Sequence, residues 1–95
     1  MAKVTANYRG VILTVESDGY EGRLFINGLI RARIKLTSTT RLSSTVQTDY
    51  EWHELIEGTI IRKADKVTIA LYANNVEIAL EEFSPQTAPN KETIN

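Results

Sequence analysis

Ninety-five residues supply one hydrophobic core and no more, because a chain this short buries too little surface for two. It holds no cysteine, which excludes a disulfide framework, a thiolate metal site and a cysteine nucleophile. Eleven Lys and Arg against twelve Asp and Glu leave a net charge of −1, too weak a global field to draw in a polyanion, so any nucleic-acid binding must come from a local patch.

No apolar run approaches the roughly 18 to 20 residues of a membrane-spanning helix, and no membrane partner is expected. Met1-Ala2-Lys3 leads straight into a β-branched segment without an export pattern, which makes a cytoplasmic site the expectation.

In chain order, residues 3–9 are too few and too rich in Val, Thr and Asn for a helix. Residues 11–16 are β-branched and half alternating, and Ser17-Asp18-Gly19 after them is turn chemistry. Residues 23–26 read as a second strand closed by Asn27-Gly28, a strong hairpin signal. From 30 to 36, Ile30, Ala32, Ile34 and Leu36 alternate with Arg31, Arg33 and Lys35, a period of two that presents three cations on one face. Residues 37–49 are Ser/Thr-rich, consistent with a strand continuing into a long loop.

Residues 50–58 fit a strand or one or two helical turns, with strand preferred. Strands follow at 59–62 and 67–72 around a turn at Lys63-Ala64-Asp65. Asn74-Asn75 suits a tight turn before a last strand at 76–83. Residues 84–95 hold both prolines and few apolar groups and read as a flexible tail, leaving 1–83 as the single domain. No internal repeat is legible.

Catalytic constellations are hard to assemble. His53 is the single histidine, which removes histidine-rich zinc sites. His53 with Asp49 or Glu54 could orient a serine, but no serine sits in a nucleophile elbow, and an ordinary surface or strand histidine is the simpler reading. Glu81 and Glu82 are adjacent in a strand and point to opposite faces, so they do not converge for acid–base work. The five glycines are scattered through turns, with no phosphate loop, and no cofactor is implied. Tyr50 and Trp52 offer either an aromatic platform or ordinary core. The Arg31, Arg33, Lys35 face suits phosphate contact or mere solubility.

Two stretches carry a resemblance. Val11-x-Leu13-x-Val15, Asp18-Gly19-Tyr20-Glu21-Gly22-Arg23-Leu24 and then Asn27 to Ile34 follow the order of the first motif of the Sm/LSm family. Asn27 stands at the family's aspartate, Ile30 at its methionine and Arg31 at its asparagine. The segment from Gly58 through Ile61-Arg62-Lys63-Ala64-Asp65 to Ile69 looks like the second motif, with one extra residue and Ala64 where glycine is expected.

The resemblance spans about residues 10–72. It implies a mostly β, small, strongly bent, antiparallel five-stranded barrel of Sm or SH3-like form, here with an extra C-terminal strand and little helix. It also implies a cyclic homo-oligomer of about five to seven copies closed by edge-strand pairing. Single-stranded RNA would contact the loops holding Asn27, Ile30 and Arg31 and holding Arg62, Lys63 and Asp65. Loss of the family's asparagine and of its stacking residue favours phosphate contact over base reading.

The leading expectation is thus a non-enzymatic, ring-forming RNA binder. The alternative is a structural or assembly module of barrel or sandwich form, such as a viral accessory protein, without nucleic-acid binding. A carbohydrate-binding sandwich comes third and needs Tyr50 and Trp52 side by side. The first reading requires Arg31, Arg62 and Lys63 to converge, whereas the second lets them scatter.

Overall fold

The computed structural model describes residues 2–47 and 53–84, and every regular element in them is a strand. These are β1 (Ala2–Tyr8), β2 (Val11–Ser17), β3 (Glu21–Ile26), β4 (Leu29–Lys35), β5 (Thr39–Gln47), β6 (His53–Lys63), β7 (Lys66–Ala73) and β8 (Val76–Phe83). They form two four-stranded antiparallel meanders, β1-β2-β3-β4 and β5-β6-β7-β8. The sheets face each other, with β1 over β7 and β8, β2 over β7, and β3 over β5. Between them Val4, Leu13, Val15 and Leu24 of the first sheet meet Leu42, Ile56, Ile60, Ile69 and Leu71 of the second, all essentially buried. No helix among the described residues is long and apolar enough to cross a membrane.

The β content agrees with the sequence reading, but the five-stranded barrel does not. Among the described residues there are eight strands, and no ladder joins the two sheets into a closed barrel. Residues 3–8 lie in β1, which pairs along β2 from Ala2↔Ser17 to Tyr8↔Val11. Of the Ser/Thr-rich stretch expected as a strand continuing into a long loop, residues 39–47 form the strand β5. The segments 50–58 and 59–62 join, from His53 onward, in one long β6. β1 and β5 are faint in the sequence because they are polar: in β1, Val4 alone is fully buried. After β4 the chain crosses to the second layer through residues 36–38. Leu36 N–H donates to Tyr20 O (2.9 Å) and Arg62 N–H to Ser38 O (2.8 Å), which fixes the corner.

The two sheets repeat one meander, a duplication the sequence does not display. Asn27 N–H donates to Ile12 O (2.8 Å) while its Oδ1 accepts from Ile12 N–H (2.9 Å). Asn74 makes the same pair of bonds to Leu55, at 2.8 and 2.9 Å. Each asparagine begins a tight hairpin with both central residues left-handed: Asn27 (φ 51°) with Gly28 (φ 82°), and Asn74 (φ 49°) with Asn75 (φ 68°). Three residues before each one the ladder slips, between Leu24 and Phe25 and between Leu71 and Tyr72. Leu24, Asn27 and Ala32 thus correspond to Leu71, Asn74 and Ala79, but Val11 corresponds to Glu54 and Lys35 to Glu82, and such divergence hides the repeat.

The slip also corrects the period of two read in β4. Ile30 pairs with Phe25 and Ala32 with Leu24, so Arg31 is the extra residue of a bulge. Ile30 therefore leaves the face of Ala32, Ile34 and Leu36.

Two glycines set the spacing of the layers. A Cβ on Gly58 would lie 2.4 Å from Val15 Cγ2, and one on Gly22 would lie 2.5 Å from Ile60 Cδ1. Val15 of β2 thus seats on the bare backbone of β6, and Ile60 of β6 on that of β3. Gly22 lies within the first Sm-like segment and Gly58 opens the second, and here both are packing positions.

Candidate functional site

Antiparallel strands put successive turns at alternate ends of the sandwich, and this separates the residues expected to bind RNA. Asn27, Ile30 and Arg31 belong to the β3–β4 turn and the start of β4. Arg62 and Lys63 end β6, and Asp65 lies in the β6–β7 turn. Arg62 Nη1 donates to Gly19 O (3.3 Å), which puts that turn beside the β2–β3 turn, at the other end of β3. Across the steps between the six residues of β3, about 3.3 Å each, the two groups stand roughly 17 Å apart along the strand.

Their side chains are also partly engaged. Asn27 Oδ1 is used on Ile12, and Arg31 Nη2 donates to Thr45 O (3.3 Å). Lys63 and Asp65 are exposed. Within one subunit, then, Arg31 does not join Arg62 and Lys63.

At the Gly19 end, Arg62, Lys63 and Lys66 line an open groove of about 720 Å³ with Asp18, Glu82 and Phe83. Lys66 Nζ lies 3.6 Å from Glu82 Oε1, so the groove mixes both signs of charge.

The densest polar cluster was not foreseen from the sequence. On the outer face of the first sheet Arg23 donates from Nη1 to Glu16 Oε2 (2.6 Å), from Nε to Glu21 Oε2 (2.8 Å) and from Nη2 to Asp18. Arg33 Nε stands 3.5 Å from Glu21 Oε2. The guanidinium occupies the space between three carboxylates, and among the described residues no acidic or histidine cluster suited to a metal ion is found. Glu21 and Glu16 raise the Arg23 pKa above its ordinary value. The signal available was the Glu16↔Arg23 cross-strand register, which becomes visible only once the β2–β3 loop length is known.

Asp18 organises the turn beneath that cluster. Its Oδ1 accepts from Tyr20 N–H (2.8 Å) and Glu21 N–H (2.9 Å), and these bonds, with Arg23 as a lesser cause, hold its carboxyl below the usual 3.8. A lowered carboxylate pKa stabilises the fold fully above the unfolded value, and that contribution is lost as pH falls through the folded one. Urea midpoints taken at neutral pH and below the ordinary aspartate range should fall less for Asp18→Asn than for wild type. Equal falls would show that the Asp18 charge contributes nothing.

Glu54, considered above as an acid beside His53, is instead a buried strut. It is 5 % exposed, and Oε1 accepts from Tyr8 O–H (2.6 Å) and Asn74 Nδ2–H (2.6 Å), with Arg9 Nη1 at 3.6 Å from Oε2. The Glu54 bond, followed by desolvation, pushes the Tyr8 phenol above 10.0. His53 is exposed at the start of β6. Glu81 pairs with Ile69 and Glu82 with Thr68, on opposite faces of the sheet. Asp49, Tyr50, Trp52 and all but the first residue of the 84–95 tail lie outside the described residues.

The most exposed apolar side chains fall mainly on two edge strands. Leu29, Ile30 and Ile34 lie on β4, and Val76 and Leu80 on β8; these are five of the seven large apolar residues so exposed among the described residues. Charge separates the same strands: β4 carries Arg31, Arg33 and Lys35 without an acid, and β8 carries Glu77, Glu81 and Glu82 without a cation.

The fold is therefore a two-layered β-sandwich made of a duplicated meander, with two oppositely charged apolar edges. No protein-family model matches the chain, no curated protein matches it, and no solved structure matches it.

Proposed function

We propose that this chain is a non-enzymatic assembly module of β-sandwich form that associates with copies of itself, and that single-stranded RNA is not its principal ligand. The observation that carries the reading is the placing of Arg31 at one end of β3 and of Arg62 and Lys63 at the other. A strand of RNA gains affinity from consecutive phosphate contacts along one basic track, and these cations form no such track within a subunit. Edge strands with exposed apolar side chains are surfaces that small β proteins cover by association.

Light scattering should give a mass above that of one subunit at high protein concentration. Fluorescent oligo-uridine should show weak binding at low salt, unchanged by Arg31→Ala with Arg62→Ala. Tight, salt-sensitive binding lost in that double variant would overturn the reading and favour the Sm-like ring of about five to seven copies, in which the cations of several subunits meet at a pore.

A further inference from the structure

Four strands end the two sheets, β1 and β4 in one and β5 and β8 in the other. Because β4 lies beside β5 and β1 over β8, β4 and β8 occupy opposite flanks of the sandwich. They are also the corresponding strands of the duplicated meander, following the Asn27 and Asn74 turns. At one corresponding place the charge is reversed, Lys35 matched by Glu82, and elsewhere charged and apolar side chains change places, with Arg33 matched by Leu80 and Ile30 by Glu77.

We propose that β4 of one copy pairs along β8 of a second copy, so that the chain assembles head to tail through unlike edges. This rests on the assembly reading above and names its surfaces.

Charge complementarity selects the occupant. Pairing β4 with β4 would set three cations against three, and β8 with β8 three carboxylates against three, and like charges across a ladder are destabilising. β1 and β5 offer one cation each, Lys3 and Arg41, so β4 is the edge that best matches the acids of β8. Lysine on an edge strand ordinarily blocks association. Here each edge blocks itself and admits the other.

Present ion pairs do not prevent this. Arg33 reaches Glu21 at 3.5 Å and Glu82 reaches Lys66 at 3.6 Å, but the Arg33 and Glu82 side chains are 62 % and 56 % exposed and can turn to a new partner. Pairing would also cover Leu29 and Ile34 of β4 and Val76 and Leu80 of β8. A heterologous contact of this kind propagates into a filament or closes into a ring, and does not stop at a symmetric dimer.

The test uses the full chain in two charge-reversed forms, Arg33→Glu with Lys35→Glu on β4 and Glu77→Lys with Glu81→Lys on β8, each first shown by circular dichroism to be folded. Mass is followed by light scattering against concentration at low and high salt. Each variant alone presents two like-charged edges and should need about tenfold or more protein to assemble, while a mixture of the two should regain wild-type assembly, because each offers the edge the other lacks. Higher salt should weaken both the wild type and the mixture.

A wild type that assembles while both reversals leave its mass unchanged overturns the β4–β8 pairing and leaves the assembly reading standing. A symmetric dimer, or weakened variants without recovery on mixing, also overturns the pairing. A wild type that stays monomeric throughout overturns both.

Discussion

Gly58→Ala is expected to destabilise the fold by about 3 kcal/mol, although it adds a single methyl group. The new carbon would stand 2.4 Å from Val15 Cγ2, and Val15 is fully buried. A β-branched side chain in a strand has little rotamer freedom with which to withdraw, so the layers must separate or the backbone must shift. Gly22→Ala meets a softer neighbour. Its Cβ would lie 2.5 Å from Ile60 Cδ1, the far end of a longer side chain, and a cost of about 1 kcal/mol is expected.

For a domain this size, 3 kcal/mol corresponds to a fall of roughly 10 °C or more in Tm. Val15→Ala opens the space that Gly58→Ala fills, so the double variant should lose clearly less than the two single losses added together. Additive losses in urea titrations would mean that Val15 and Gly58 do not meet across the core.

Glu54→Ala is expected to cost about 3 kcal/mol by a different route. It strips the acceptor from Tyr8 O–H on β1 and from Asn74 Nδ2–H at the β7–β8 turn, and thus cuts a polar tie between the two sheets. Glu54→Gln keeps a carbonyl oxygen for Tyr8 and should lose about 1 kcal/mol, since a neutral acceptor replaces a charged one.

The Tyr8 phenol supplies a second readout. Its raised pKa stabilises the fold fully below the ordinary 10.0, and this contribution disappears as pH rises through the raised value. Ultraviolet titration of Glu54→Gln should therefore show one tyrosine ionising at lower pH than in wild type. An unchanged titration, with unchanged stability, would remove Glu54 from its role as a strut.

Where Glu54 sits explains why its role as a strut is not legible in the sequence. Beside His53 in sequence, a carboxylate in a strand points to the opposite face, and here that face is the end of the core. Nothing local to 53–54 reports that Tyr8 and Asn74 arrive from other strands. Arg23 is a similar case: its three acid partners are near in sequence, but their convergence depends on the cross-strand register and on the Asp18 turn.

The β class, the Asn27-Gly28 and Asn74-Asn75 hairpins and the apolar side chains of the core strands were all legible in the residues alone. All of these follow from backbone preferences and burial that act within a few residues. The charges of β4 and β8 were equally plain there. Tertiary structure decided the number of strands, because polar strands such as β1 and β5 earn their conformation from pairing and carry little pattern of their own. It decided two open layers over one barrel, through the crossing at 36–38 and the seating of Val15 on Gly58. It also decided that Arg31 and Arg62 lie at opposite ends and that the two charged strands are both edges on opposite flanks. These are relations between distant segments, set by strand order and register, which no local spacing of residues encodes.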